Sequence, residues 1–428
     1  MIITRALEAA LEALDLDALW DVLIVGAGAA GLATAIFTRE RNANRSVLLL
    51  DGARKPGAKI LVSGGTRCNV TNTVVTERDF RGGPPAIVRR ILRRLSARDT
   101  VDFFARAGVT LHEEEDGKLF PDSNRSRDVL DALLRLASDA GVVLRSSQRV
   151  ISVSRNDDRF IVKTTTGENA ATRVVLATGG LSLPKTGSDG LGHAIARGLG
   201  HSIVPTTPAL APLLLESGEL HAAISGVSLD VELTLWVDGS TALRLRGPML
   251  WTHFGISGPV ALDVSRHWLR ARLEQRTVAL TASFVPGLDF NAMEQHWIAA
   301  RRARPRSSLG TSLGCLIPES MAAALLECVQ IDPATQLANL ERDDRRRVTR
   351  ALTAWPLTIS DSRGYNYAEV TAGGVDLREI DASTMQSRLC PGLFLVGEIL
   401  DVDGRLGGFN FQWAWSSAYV AAAAIADA

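Results

Sequence analysis

The run Val22-Leu23-Ile24-Val25-Gly26-Ala27-Gly28-Ala29-Ala30-Gly31 sets the architecture of this chain. Four apolar residues, two of them valine, read as a buried parallel strand, and the helix-compatible LATAIFTRER follows at once. Between them stands G-x-G-x-x-G in the context of strand, turn and helix that gives the pattern its meaning. Gly26 permits the tight turn, Gly28 lets backbone approach a pyrophosphate, and Gly31 allows helix and strand to pack closely. Ala29 and Ala30 open the helix, whose free N–H groups and positive dipole end suit a phosphate. A second apolar run, Val47-Leu48-Leu49-Leu50, ends at Asp51, about 20 residues past Gly31. A carboxylate at that distance is placed for ribose hydroxyls and disfavours a 2′-phosphate. A dinucleotide site follows from the three features together.

Working outward, the chain has 428 residues with 47 basic and 47 acidic side chains, so its formal net charge is zero. With 46% apolar and 22% charged residues it has the composition of a globular protein, which excludes disordered, collagen-like and disulfide-scaffold classes. Zero net charge also argues against a nucleic-acid partner, whose affinity would come largely from phosphate neutralisation. Lysine supplies only five of the 47 basic residues, so arginine clusters need discounting as a compositional bias. The four cysteines (Cys68, Cys315, Cys328 and Cys390) form no C-x-x-C pair, which suits neither zinc nor a dithiol centre and fits a reducing cytoplasm. No metal is expected. The acidic first twenty residues do not read as a secretory signal or transit peptide, and no apolar run is long enough for a membrane. Leu7, Leu11, Leu14 and Leu19 are spaced for a short docking helix.

Further along, Gly57-Ala-Lys59-Ile-Leu-Val-Ser63-Gly64-Gly65-Thr66-Arg67-Cys68-Asn69-Val-Thr-Asn72 resembles the K-x-x-x-S-G-G-G-R-C-N-x-T-N segment of the HI0933-like (YhiN/BaiN-type) flavoproteins. The tail resembles the same family through Gly397-Glu398-Ile-Leu-Asp401-Val-Asp403-Gly404 and Gly407-Gly408-Phe409-Asn410-Phe411-Gln412-Trp413-Ala414-Trp415-Ser416-Ser417. Together the similar segments reach from about Asp21 to Ala424. Two departures stand out: Thr66 replaces a usual glycine, and Asp51 a usual glutamate. The first is expected to reshape the loop, the second to shorten the reach to the ribose.

The resemblance implies an α/β fold: a Rossmann-like FAD-binding domain of the two-dinucleotide-binding-domain flavoprotein type, with an inserted β-barrel-like domain carrying a helical segment. The expected boundaries are 1–204 and 359–428 for the FAD-binding domain and 205–358 for the insert. Beside Gly26, Gly28, Ala29, Ala30, Gly31 and Asp51, cofactor contacts are then expected from Lys59, Ser63, Gly64, Gly65, Arg67, Cys68 and Asn69. Val150 is expected to cover the adenine with backbone groups, Thr178 and Gly179 to form a further strand-end turn, and Gly397 and Glu398 another whose acid holds the ribityl chain. Asp403, Gly408, Asn410 and Phe411 complete the set. The helix after Gly408 would point its N–H groups at the flavin, with Asn410 as cap or ring contact. Residues 142–175 read as a three-stranded antiparallel meander, and Gly190-Leu-Gly192 lacks the third glycine and the preceding apolar strand of a second dinucleotide motif, so NAD(P)H, if used, is expected to bind transiently.

By this resemblance the chain is an FAD-dependent oxidoreductase moving hydride or electrons between a small organic substrate (C=C or C–N redox) and NAD(P)H or oxygen. The alternative is a flavin-dependent RNA-modifying protein, which shares similar motifs and which the charge balance opposes. The oligomeric state is not legible. Catalytic candidates are few: His253 as general acid or base or a hydrogen-bonded loop histidine, and Arg67 and Cys68 as residues near the flavin ring.

Overall fold

The computed structural model describes residues 19–216 and 220–428. Of the expected docking helix, Leu7, Leu11 and Leu14 lie outside the described residues, while Leu19 opens the first strand. The chain divides into two compact units, one ending at Thr206 and resuming from Val370 to Ala428, the other running from Thr207 to Glu369. No helix among the described residues is long and apolar enough to cross a membrane.

The first unit is built on one seven-stranded sheet. Its strands are β1 (Leu19–Val25), β2 (Val47–Leu50), β3 (Val143–Arg145), β4 (Val150–Asn156), β5 (Arg159–Thr164), β6 (Gly167–Leu176) and β7 (Leu393–Leu395). β1 pairs in parallel with β2 on one side and β6 on the other, so that Val22 lies between Val47 and Arg173. β7 pairs in parallel with the last three residues of β6. The paired stretches of these strands read as unbroken apolar runs because both faces of the sheet are covered, and Val22 to Val25, Val47 to Leu50, Val174 to Leu176 and Leu393 to Leu395 are all buried.

The meander is corrected. VVLRSS contributes β3, which pairs in parallel with β2 rather than antiparallel with β4. The helix Ser126–Asp139 before it supplies the crossover that a parallel neighbour requires. Only β4, β5 and the first half of β6 run antiparallel to one another.

Two helices lie side by side in the same direction. Ala30, in the first turn of the helix Ala29–Arg41, meets Gly397, whose carbonyl accepts a hydrogen bond from Trp413 of the helix Phe409–Asp427 at 3.1 Å. Further along, the Phe37 and Tyr419 rings stand edge to face at 5.4 Å. At the far end Asn42 Nδ2 donates to the Ala426 carbonyl at 3.1 Å. Both N-termini therefore sit at one edge, and both are capped by glycine, Gly28 and Gly408. The C-terminal helix is apolar almost all round and buried along most of its length, as a central helix must be.

The second unit carries a seven-stranded sheet whose neighbouring strands all pair antiparallel. The helix Pro259–Leu273 packs against five of those strands, from Leu213–Leu215 round to Val278–Ser283. Helices Phe290–Ala303, Glu319–Cys328 and Arg342–Thr353 follow. The strand Ile359–Ser362 pairs with Leu213–Leu215 and belongs to this unit. This moves the second boundary from the expected 358/359 to 369/370.

The fingerprint glycines separate by what surrounds them. A Cβ on Gly31 would stand 1.8 Å from the Gly26 carbonyl oxygen, inside any contact distance. Gly31→Ala is therefore expected to lose about 1–3 kcal/mol or more to overpacking, read as a lower urea midpoint with an unchanged slope. An unchanged midpoint would mean that this turn relaxes freely.

Candidate functional site

At the carboxyl end of β1 the chain turns at Gly26, whose φ is +102° and whose Cβ would stand 2.6 Å from the Ala177 carbonyl oxygen. Gly28 has nothing within 4 Å of its Cβ position. The helix it caps has no acidic residue in its first turn and no side-chain cap, leaving backbone N–H donors for an external anion. Asp51 faces this turn. Its Oδ2 accepts from the Ala27 N–H and its Oδ1 from the Ala53 N–H, both at 2.7 Å. A carboxylate has about four lone-pair sites, so each oxygen keeps one for a ribose hydroxyl. The same carboxylate thus positions the glycine turn, a task absent from its expected role. Val150 is buried at the head of β4, just beyond Gln148, whose N–H donates to the Asp51 carbonyl at 2.9 Å.

The serine–glycine segment starts as a helix at Ala58 and breaks at Ser63 (φ −67°, ψ 149°). Gly64, Gly65 and Thr66 then follow at φ +54°, +65° and +70°, and Cys68 at +63°. Thr66, where the resembled segment has glycine, takes a conformation that suits glycine. For a β-branched residue that is a strained one. Lys59, in the first turn of this helix, donates to Glu398 Oε2 and to Ser182 Oγ. Glu398 Oε1 accepts from Ser182 Oγ at 2.8 Å and from the Thr371 N–H at 2.9 Å. Glu398 is therefore the centre of a polar cluster joining four distant segments.

Arg67 is held by an acid and an aromatic ring. Its Nη1 bonds Glu114 Oε1 at 2.6 Å, and its guanidinium lies 4.1 Å from the centre of the Phe120 ring. That hydrogen bond holds the Glu114 carboxyl below the usual carboxylate range. Cys68 is fully buried, and burial pushes its thiol up to about 12, with the Ser63 hydroxyl working the other way. A thiol raised by burial is a poor nucleophile near neutral pH, which speaks against a reactive role for Cys68. Asn69 is buried and its Oδ1 has no hydrogen-bond partner among the described residues. A Cβ on Gly408 would come within 2.7 Å of that oxygen.

Thr178 and Gly179 follow β6, and Gly192 packs directly on Thr178, where a Cβ would stand 1.8 Å from Oγ1. Close packing accounts for Gly190-Leu-Gly192 without a second nucleotide. Asp403 is buried opposite Arg81 in a short antiparallel pair. Gly408 (φ +88°) caps the C-terminal helix, with no acid in its first turn. Asn410 is corrected: its side chain accepts from the Gly404 N–H at 2.8 Å and donates to the Gly404 carbonyl at 3.0 Å, closing the loop before the helix. Phe411 stacks on Trp415 at 5.6 Å.

The sequence reading missed the anchors behind these groups. Gln412 accepts from Thr71 Oγ1 at 2.6 Å and donates to the Leu95 carbonyl at 2.9 Å. Trp415 Nε1 donates to the Val70 carbonyl at 2.9 Å, and Ser417 Oγ accepts from the Gly397 N–H at 3.0 Å. Ser182 and Thr371 were also missed. A Gln and two Trp in an otherwise apolar helix were the available signal, since each polar group that such a helix buries needs a partner. His253 belongs to the second unit, where it is exposed in the turn after the strand Ser240–Thr252, edge to face with Phe254 at 5.1 Å.

FAD fits the first-unit residues. They offer two acid-free helix N-termini at one edge, an open glycine, a carboxylate with acceptor capacity and an unpartnered buried amide oxygen. The family model described as HI0933-like protein Rossmann domain matches residues 20–424. The chain belongs to the HI0933-like family. It is an FAD-dependent oxidoreductase. Two relatives named ribosomal RNA dihydrouridine synthase are similar to it. The one from Escherichia coli (strain K12) is 34% identical over 94% of this chain and 97% of its own. The one from Haemophilus influenzae is 34% identical over 94% and 98%. A 3-dehydro-bile acid delta(4,6)-reductase from Clostridium scindens is 31% identical over 94% and 98%.

Two outcomes check this HI0933-like site. Replacing Thr66 by Gly relieves about 1–3 kcal/mol of left-handed strain against roughly 1 kcal/mol of added unfolded-state freedom. A net gain of up to about 2 kcal/mol in unfolding free energy is expected, and a loss would mean that the Thr66 side chain makes a stabilising contact. Iodoacetamide at pH 8 should label the exposed Cys315 and Cys328 in the native protein and leave Cys68 unmodified. Mass spectrometry showing early labelling of Cys68 would restore it as a reactive thiol.

Proposed function

We propose that this HI0933-like protein reduces a carbon–carbon double bond conjugated to a carbonyl, with NAD(P)H as electron donor, and that its substrate is a uracil ring in ribosomal RNA. The full-length similarity to two proteins named for ribosomal RNA dihydrouridine synthesis carries this reading. The relative named for bile acid reduction supports the reaction class. The 5,6 double bond of uracil is conjugated to a ring carbonyl, as the unsaturated bond of a 3-oxo steroid is, so one chemistry serves both. A small unsaturated ketone is the second reading, favoured by that steroid-reducing relative.

Bound FAD, once reduced by NAD(P)H, would supply the hydride while a proton completes the reduction, and the chain's residues would bind and orient the cofactor. The N–H groups at Gly28 to Gly31 receive the pyrophosphate, and Asp51 receives ribose hydroxyls. Lys59 and Glu398, neutralised by each other, offer donors and acceptors to the ribityl chain. The N-terminus at Gly408 sets a positive dipole end against the electron-rich edge of the ring, and Asn69 adds an acceptor there.

The zero net charge that argued against RNA is a whole-chain sum and does not bear on the charge of one surface. The test is anaerobic. The FAD-loaded protein is reduced by NADH or NADPH, then mixed with unmodified ribosomal RNA or with a steroid dienone. Gain of two hydrogens at a uridine, seen by nucleoside mass spectrometry, is the expected result. Turnover of the dienone with no change in RNA would replace the first reading by the second. Gly28→Ala tests the cofactor site separately. Its Cβ meets nothing, so stability should match the wild type while FAD affinity falls at least tenfold. Undiminished affinity would remove this turn from the pyrophosphate site.

A further inference from the structure

We infer that the arginine row Arg302, Arg304 and Arg306 of the second unit is a docking surface for the RNA phosphate backbone, an assignment that rests on the RNA reading above. The stretch 295–318 holds four arginines and no acidic residue. Residues 301–306 are all exposed. Arg301 is structural, its Nη2 donating to the Ala338 carbonyl at 2.6 Å. The side chains of Arg302, Arg304 and Arg306 have no hydrogen-bond or ion-pair partner among the described residues.

Two ordinary explanations fall short. Compositional bias puts arginine everywhere in this chain, yet two arginines of the helix Arg342–Thr353 are paired: Arg345 bonds Glu294 at 3.0 Å, and Arg347 bonds Asp344 at 2.5 Å. A helix C-terminus attracts cations, which accounts for Arg301 and Arg302 in the last turn of Phe290–Ala303 but not for Arg304 and Arg306 beyond it. The row is also held in place. The Arg304 N–H bonds the Ala300 carbonyl at 2.9 Å, the Ala338 N–H bonds the Pro305 carbonyl at 2.9 Å, and the Leu337 N–H bonds the Ser307 carbonyl at 2.9 Å. Three free guanidinium forks on a fixed backbone match phosphate oxygens, which they grip in pairs. Neutralising phosphates releases counterions and makes binding depend on salt.

The test compares three FAD-loaded proteins on a fluorescein-labelled hairpin of ribosomal RNA, titrated across salt concentrations. They are the wild type, R302Q/R304Q/R306Q, and R90Q/R93Q/R98Q, which removes equal charge from exposed positions of the first unit. Losing three phosphate contacts should lower the log–log salt slope by about 2–3 and weaken low-salt binding about ten- to a hundredfold. The control triple should bind like the wild type, and all three should reduce their flavin with NAD(P)H at equal rates. Unchanged slope and affinity in R302Q/R304Q/R306Q, or equal losses in both triples, would overturn the docking surface and leave the RNA reading intact. A wild type that binds no RNA at any salt, or binds only phosphatidylglycerol vesicles, would overturn the RNA reading itself.

Discussion

The C-terminal helix holds the first unit together through side chains that have to be paired. Gln412, Trp413, Trp415, Ser416 and Ser417 are buried, and their polar atoms reach Thr71, Leu95, Val70 and Gly397. Leaving one such group unpaired costs about 1–3 kcal/mol, so each bond fixes a segment that lies far away in sequence. These bonds set Gly397 against Ala30 and Gly408 beside Asn69. They bring the two halves of the cofactor site together although the second unit interrupts the chain between them.

Much of the fold could be read directly. VLIV and VLLL are apolar without alternation, and a strand buried on both faces needs that pattern. Ser96 and Asp99 form a capping box, a pairing whose S-x-x-D spacing is visible in the sequence itself. Legibility failed where a choice depended on long-range partners. Val143–Arg145 is too short for its pattern to separate parallel from antiparallel pairing. Ile359–Ser362 holds a single apolar residue followed by three polar ones, and nothing local says that it is a strand whose partner is Leu213–Leu215.

The site followed the same division. The glycine turn and Asp51 were legible because local backbone geometry dictates those residue types. The Lys59–Glu398 pair was not, because 339 positions separate its members. The cap role of Asn410 was not legible because an amide at a helix start has several possible partners, and here its side chain bonds the Gly404 backbone instead of the helix. Cys68 shows that nearness to a cofactor motif says nothing about protonation, which burial decides.

The parallel packing of Ala29–Arg41 and Phe409–Asp427 has an electrostatic consequence. Each helix start carries roughly half a positive charge. Two such poles about 9 Å apart, at an effective dielectric constant near 20, repel by about 0.5 kcal/mol. An antiparallel pair would have turned that repulsion into attraction, but it would have faced a ligand with one positive pole and one negative. The chain instead keeps a small internal repulsion that an anion at this edge reverses in sign. Folding and cofactor loading are thereby linked: the arrangement that makes the free protein slightly less stable is the one that tightens its grip on a dinucleotide.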